Sequence, residues 1–464
     1  MANNYRLSRW IICTITISIC VACRTNKAII RRKKNMPKQQ KLAAMFKKTP
    51  VFSGNFTGFE LYDPQADSII YAQNENKYFT PASNTKLYTF YTALKYLPDK
   101  IPALKYITRG DSLIFWGTGD PSFLRRDLDD GVVYHFLKNT SKKLYFSDAN
   151  FRDKDLGPGW SWGDYQYSYQ AERSPLPIYG NMVRFTMQKV TKTHLLSDSS
   201  GARVYPDFFR PYVKKSSTAE NESNHQPLIK RGIDNNKFQY APKSDTTTFT
   251  IKKPYHYTPQ LVIKMLSDTL NKPVTYINRK MPAHAQTLYS VQADTVYKHM
   301  LLPSDNFIAE QLLLVTAAQL GHSLNTKWVI KKMEKTYLKG LPDKPQWVDG
   351  SGLSRYNLFT PRDMVWVLQH IRAQFNSDKN LFKLLPTGGR SGTIKNWYAP
   401  RDGGPPYVFA KTGTLKNNHC LSGFVRTKNG RLLIFSFMNN HYVSSSSVVK
   451  KAMENVLWYI HEHY

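Results

Sequence analysis

Near its C-terminal end the chain reads VFAKTGTL, then CLSGFVRTKNGRLLIFSFM, with Asn429-Gly430 between two apolar runs. Asn-Gly tolerates the positive φ angles of a two-residue turn, so this is a strong hairpin signal. Far upstream, GNFTGFELYDPQADSIIYA (54–72) reads as two more strands around an Asp-Pro turn. A helical pattern follows at Leu87, Phe90, Tyr91, Leu94 and Leu97, and a last amphipathic helix runs from about Ser446 to His461. A sheet near the end, flanked by helices from both chain ends, requires one discontinuous domain, 50–97 with 256–464. The fold class is α+β, an antiparallel sheet flanked by helices.

Between these parts the texture changes. From 98 to 255 short strand-like runs alternate with turns, and 214–244 is polar, so this stretch reads as an inserted β-rich domain ending in exposed loops. Helical periodicity returns in TPQLVIKMLSDTL (258–270) and DNFIAEQLLLVTAAQLG (305–321). At 464 residues the chain exceeds one compact core, and two or three domains are expected.

The N-terminus reads as an export signal over residues 1–23. Arg6 and Arg9 precede an apolar run from Trp10 to Ala22, too short to span a bilayer comfortably. It ends in Cys20-Val21-Ala22-Cys23, which resembles a bacterial lipoprotein signal with Cys23 as the lipidated residue; Cys20 stands where that pattern prefers Leu. Residues 24–49 hold ten Lys/Arg and no acid, a flexible basic tether. The expected location is periplasmic, with membrane contact through the lipid. Cys420 is alone in the body of the chain, which excludes a disulfide framework there.

A formal charge of +32 favours polyanions. No zinc-finger spacing, phosphate-cradling Gly-rich loop or aromatic RNA-binding signature accompanies it, so nucleic acid is not the expected partner. Acidic cell-wall polymer remains open.

TPASNTKLYT (80–89) puts Ser83 three residues before Lys86, a spacing that stacks the two on one helix face. Alone, Ser-x-x-Lys is weak; Ser447 to Lys450 repeats it on the last helix, by chance. The first copy is followed by Ser304-Asp305-Asn306 at a helix start and by Lys411-Thr412-Gly413-Thr414 on a strand. Ser-x-x-Lys, Ser-x-Asn and Lys-Thr-Gly in that order are the signature of penicillin-recognising serine enzymes.

With Gly119-Asp120-Pro121-Ser122, PSDNFIAEQLL and Asp349-Gly350-Ser351-Gly352-Leu353-Ser354-Arg355, the chain from about residue 50 onward resembles the D-alanyl-D-alanine carboxypeptidase/endopeptidase family, the class C penicillin-binding proteins. About 218 residues separate Lys86 from Ser304, the gap in which that family carries its extra domains. The resemblance implies a penicillin-binding/β-lactamase-like transpeptidase domain, peptidoglycan stem peptides as substrate, β-lactams as covalent inhibitors, and no metal or cofactor.

It also implies roles. Ser83 is the nucleophile and Lys86 its base. A lysine acting near pH 7 needs its pKa lowered by about three units, or about 4 kcal/mol, through burial and a nearby cation, for which Lys411 stands ready. Ser304 relays a proton to the leaving nitrogen and can also cap its helix; Asn306 contacts substrate and Lys86. The N–H groups of Ser83 and Thr414 form the oxyanion hole. Lys411, Thr412 and Thr414 suit the terminal carboxylate, and Gly413 lets the acyl group approach the backbone. The 349–355 loop reads as a tight turn, and Asp120 as the cap of a turn. Two rivals remain: a β-lactamase, for which no Glu-containing deacylation loop is evident, and a catalytically silent wall-binding protein, disfavoured by the intact motifs.

Overall fold

The computed structural model describes residues 37–187, 202–215, 229–240 and 249–464. The export signal, Cys23, the first part of the basic segment and much of 214–244 lie outside the described residues.

One five-stranded antiparallel sheet runs in the order Val408–Leu415, Asn418–Arg426, Leu432–Asn440, Phe56–Asp63, Ser68–Gln73. The hairpin falls at Asn429-Gly430, with Gly430 at φ 82°. Strand side chains alternate between faces. Cys420, Phe424, Ile434 and Met438 enter a core with the helices Lys86–Tyr96, Ala293–Leu301, Asn306–Gln319 and Pro361–Arg372. Leu421, Val425, Leu433, Phe435 and Phe437 enter the opposite core, under the C-terminal helix Ser446–His463. Burial on both faces explains why LLIFSFM carries almost no polar residue.

The basic segment departs from the expected tether. Lys38–Lys48 is a helix whose Leu42 and Phe46 are buried against this second core. Leu42 and Phe46 are four residues apart, so they share one buried face, while Lys41, Lys47 and Lys48 point away from it and Lys38 is exposed at the helix start. The count of charges in the segment concealed that stripe.

The inserted part has its own sheet, in the order Val274–Tyr276, Lys143–Ser147, Ser112–Gly117, Lys100–Arg109, Gln286–Gln292, with two parallel pairings in it. The expected boundary at 255 is therefore too early. Helix Pro259–Leu270 buries Leu261, Val262, Met265 and Leu266 with Leu104, Phe115 and Phe146 of the inserted core, and the chain rejoins the core of the nucleophile helix at Val291 and Ala293. An apolar stripe announces that a helix is covered, not by which core. Among the described residues the insertion also holds two three-stranded sheets; one is ordered Phe249–Pro254, Met182–Met187, Ala202–Tyr205.

Candidate active site

Ser83 lies in a short 3-10 turn, Ala82–Thr85, that runs directly into helix Lys86–Tyr96. Ala82 takes the left-handed conformation at φ 48° to make this entry. The turn is wedged from two sides. Gly352 packs so closely that a Cβ would overlap the Ala82 carbonyl, and a Cβ on Gly413 would overlap the Pro81 carbonyl and lie 3.0 Å from the Ser83 amide nitrogen. Glycine at 413 thus brings edge strand Val408–Leu415 against the backbone of Ser83.

Lys86 is fully buried. Its Nζ lies 2.9 Å from Ser83 Oγ, 2.7 Å from Asn306 Oδ1 and 2.7 Å from the Ser351 carbonyl oxygen. Burial holds its pKa down to about 8, while Asp349, Asp305 and Glu310 pull the other way. The expected depression by Lys411 runs in the opposite sense. It is Lys411, buried and facing Lys86, whose pKa is pushed well below the usual lysine range, by burial first and by Lys86 second.

Lys411 donates to Ser304 Oγ at 2.8 Å and to the Thr412 carbonyl at 2.7 Å. Ser304 does not cap its helix. Asp305 takes that role, accepting from the Ile308 amide at 2.9 Å and pairing with Arg125 at 2.8 Å. Ser304 itself sits at φ 63°, and its hydroxyl meets Lys411. Asn306 donates its amide to the Tyr169 carbonyl at 2.9 Å, so its Oδ1 is the atom that faces Lys86.

The 349–355 loop is a tight turn with a function the sequence reading did not assign. Asp349 accepts from the amides of Gly352 and Ser354 and from the side chains of Asn357 and Trp160. Glu310 accepts from the Ser351 amide at 2.7 Å. Together they aim the Ser351 carbonyl at Lys86. Burial, then the adjacent Asp349, pushes the Glu310 carboxyl above the usual carboxylate range. A backbone carbonyl leaves no mark in a sequence, so only the DGSGLSR run hints at it. Asp120 closes its turn as expected, accepting from the Ser122 amide at 2.9 Å.

Ser83 and Ser304 open onto a cavity of about 410 Å³ with Thr412 and Thr414. Thr393, His419 and Lys450 also line it. Thr412 and Thr393 hydroxyls are 2.7 Å apart, and Thr414 Oγ1 is 2.8 Å from His419 Nδ1. Burial, then Lys450 and Lys411, lowers His419 to about 3, so its ring is neutral at physiological pH. Ser447 hydrogen-bonds Ser445, and its spacing to Lys450 is a coincidence; Lys450 itself is not idle.

This fold, with a serine and a buried lysine in contact, a second serine–lysine pair and a polar edge strand, defines an active-serine enzyme of the penicillin-recognising type. The pattern of the D-Ala-D-Ala carboxypeptidase 3 (S13) family matches residues 38–459, and the chain belongs to that family. D-alanyl-D-alanine carboxypeptidase DacB of Haemophilus influenzae is 26% identical over 437 residues, 84% of this chain and 86% of the relative. Penicillin-sensitive carboxypeptidase A of Dictyostelium discoideum is 23% identical over 429 residues, 79% and 78% of the two chains. The crystal structure of penicillin binding protein 4 from Haemophilus influenzae shares the fold at a TM-score of 0.71 and 21% identity, covering 91% of this chain and 99% of that one. The same protein complexed with a β-lactam gives 0.67 at 20% identity, covering 92% and 100%. Among the described residues no helix is long and apolar enough to cross a membrane.

Proposed function

We propose that this chain is a serine D-Ala-D-Ala carboxypeptidase, also able to cut DD-crosslinks, that acts on peptidoglycan stem peptides through an acyl-enzyme at Ser83. The observation that carries the proposal is the set of three oxygens around Lys86 Nζ. Two of them, Asn306 Oδ1 and the Ser351 carbonyl, can only accept hydrogen bonds. A neutral amine has two N–H groups and one lone pair. The two carbonyls take the N–H groups, so the lone pair faces the Ser83 hydroxyl, the one partner able to donate.

Lys86 then removes the Ser83 proton as Oγ bonds to the penultimate D-Ala carbonyl carbon. The Ser83 and Thr414 amides receive the oxyanion, at about 10²–10³ in rate for each such donor. The C–N bond breaks as the proton taken by Lys86 passes through Ser304, which Lys411 contacts, to the departing nitrogen, and Lys86 is again a neutral amine. Lys86 then takes a proton from the water whose oxygen attacks the ester carbonyl, and returns it to Ser83 Oγ as the C–O bond breaks. Thr412, Thr414 and Lys411 hold the terminal carboxylate. The family, and a relative seen with a β-lactam bound, support penicillin as a covalent inhibitor. The N-terminal pattern supports export to the periplasm with Cys23 lipidated.

Fluorescent penicillin labels wild type at one site and leaves Ser83→Ala unlabelled; an unlabelled, folded wild type overturns the proposal. Loss of radioactive palmitate incorporation in Cys23→Ala tests the anchor.

A further inference from the structure

The Ser83 cavity contains a buried side chain with no part in the steps above. His419, on strand Asn418–Arg426, stands directly opposite Thr414 of the edge strand, and residues so paired project to one face of the sheet. The His419 ring is 1% exposed and backs the cavity, whereas Thr414 is exposed and lines it. Thr414 Oγ1 lies 2.8 Å from His419 Nδ1. The far ring nitrogen, Nε2, is buried and has no hydrogen-bond partner among the described residues. Burial, then Lys450 and Lys411, keep the ring neutral at physiological pH, so it carries one proton for its two nitrogens.

That proton has two places to sit. On Nε2 it would be a buried N–H with no acceptor, a rare and costly orphan. On Nδ1 it is satisfied by Thr414 Oγ1. The two placements give Thr414 opposite characters, because a hydroxyl has one hydrogen and two lone pairs. A bare Nδ1 would draw the hydroxyl hydrogen to the ring and leave lone pairs facing the cavity. A protonated Nδ1 fills one lone pair and leaves the hydrogen to point into the cavity. We propose that His419 is a positioning residue for the carboxylate end of the substrate: it holds its proton on Nδ1, donates it to Thr414 Oγ1, and so commits the Thr414 hydroxyl to donate into the cavity. A carboxylate can only accept, so the committed hydroxyl binds it and one turned the other way repels it. The inference rests on the DD-peptidase reading above and names what makes the site selective for a free C-terminal carboxylate.

Two measurements on the full chain test it. Ring-nitrogen NMR of isotope-labelled wild type, with the His419 signals assigned by their loss in His419→Asn, shows which nitrogen is protonated; Nδ1 is expected, and Nε2 overturns the proposal. Kinetics are then compared on a D-Ala-D-Ala peptide with its C-terminal carboxylate free and on the same peptide amidated there. His419→Phe is expected to raise KM for the free acid about tenfold, with kcat within about twofold, and to leave the amide unchanged. His419→Asn, whose side-chain amide can donate to Thr414, is expected to recover most of the loss. In a Thr414→Val background, which keeps the backbone amide, His419→Phe is expected to add nothing, since the ring acts through that hydroxyl. Equal losses on both peptides, or an undiminished loss in the Thr414→Val background, overturn the proposal. A wild type with protonated Nδ1 that neither labels with penicillin nor releases D-alanine strikes instead at the DD-peptidase reading.

Discussion

A lysine amine has a single lone pair, and its direction depends on which neighbours can only accept. At Lys86 two carbonyl oxygens settle that direction, and one of them, the Ser351 carbonyl, comes from a loop braced by Asp349 and Glu310. With its pKa near 8, about one Lys86 in ten is a free amine at pH 7. Penicillin acylation is therefore expected to rise about tenfold per pH unit below pH 8 and to level off above it, measured by stopped-flow labelling. A profile flat from pH 6 to 9 would contradict a neutral-lysine base. The stability linkage has its own sign. Between the folded pKa and the unfolded value near 10.4, the unfolded chain holds a proton that the folded protein has released. Lys86 thus contributes increasing stability as pH rises through that window, and a constant penalty below it.

At the scale of elements, the helix Lys38–Lys48 shows how a charge run hides a structural stripe. Phe46 packs among Phe52, Phe59, Tyr71 and Phe437, with centroids 5.0–5.3 Å away. Phe46→Ala is expected to lower stability by about 3–5 kcal/mol, read from urea unfolding followed by far-UV circular dichroism. Penicillin labelling should survive below the unfolding transition, because this helix covers the sheet face opposite the nucleophile helix. A change within ±0.5 kcal/mol would mean that the helix is peripheral. The same reasoning accounts for the late end of the insertion. Helix Pro259–Leu270 has the apolar stripe that its sequence announces, yet it fills the inserted core.

At the scale of the molecule, the Ser83 cavity is assembled from residues 83, 304, 393, 394, 397, 398, 412, 414, 419 and 450. Lys450 reaches it from the C-terminal helix, over the Trp397 ring at 5.6 Å. It lines the same cavity as Thr412 and Thr414, so a substrate carboxylate held at those hydroxyls is expected to meet its charge. Lys450→Met is expected to raise KM for a peptide with a free C-terminal carboxylate about tenfold while leaving kcat within about twofold, and Lys450→Arg to restore most of it. A KM unchanged in D-alanine release assays would remove Lys450 from the site.

The family, the antiparallel sheet flanked by helices, and the polar side chains that carry the motifs were all legible from the residues in order. Hairpin chemistry, strand and helix periods and Ser-x-x-Lys spacing are local, and local rules act through neighbours in the chain. Which core a helix fills, which carbonyl directs Lys86, and that a lysine 364 positions beyond it shares a cavity with Ser83 were decided only by the folded chain. Those facts depend on contacts between segments with no sequence relation, and two of them involve backbone atoms or burial that every sequence carries unmarked.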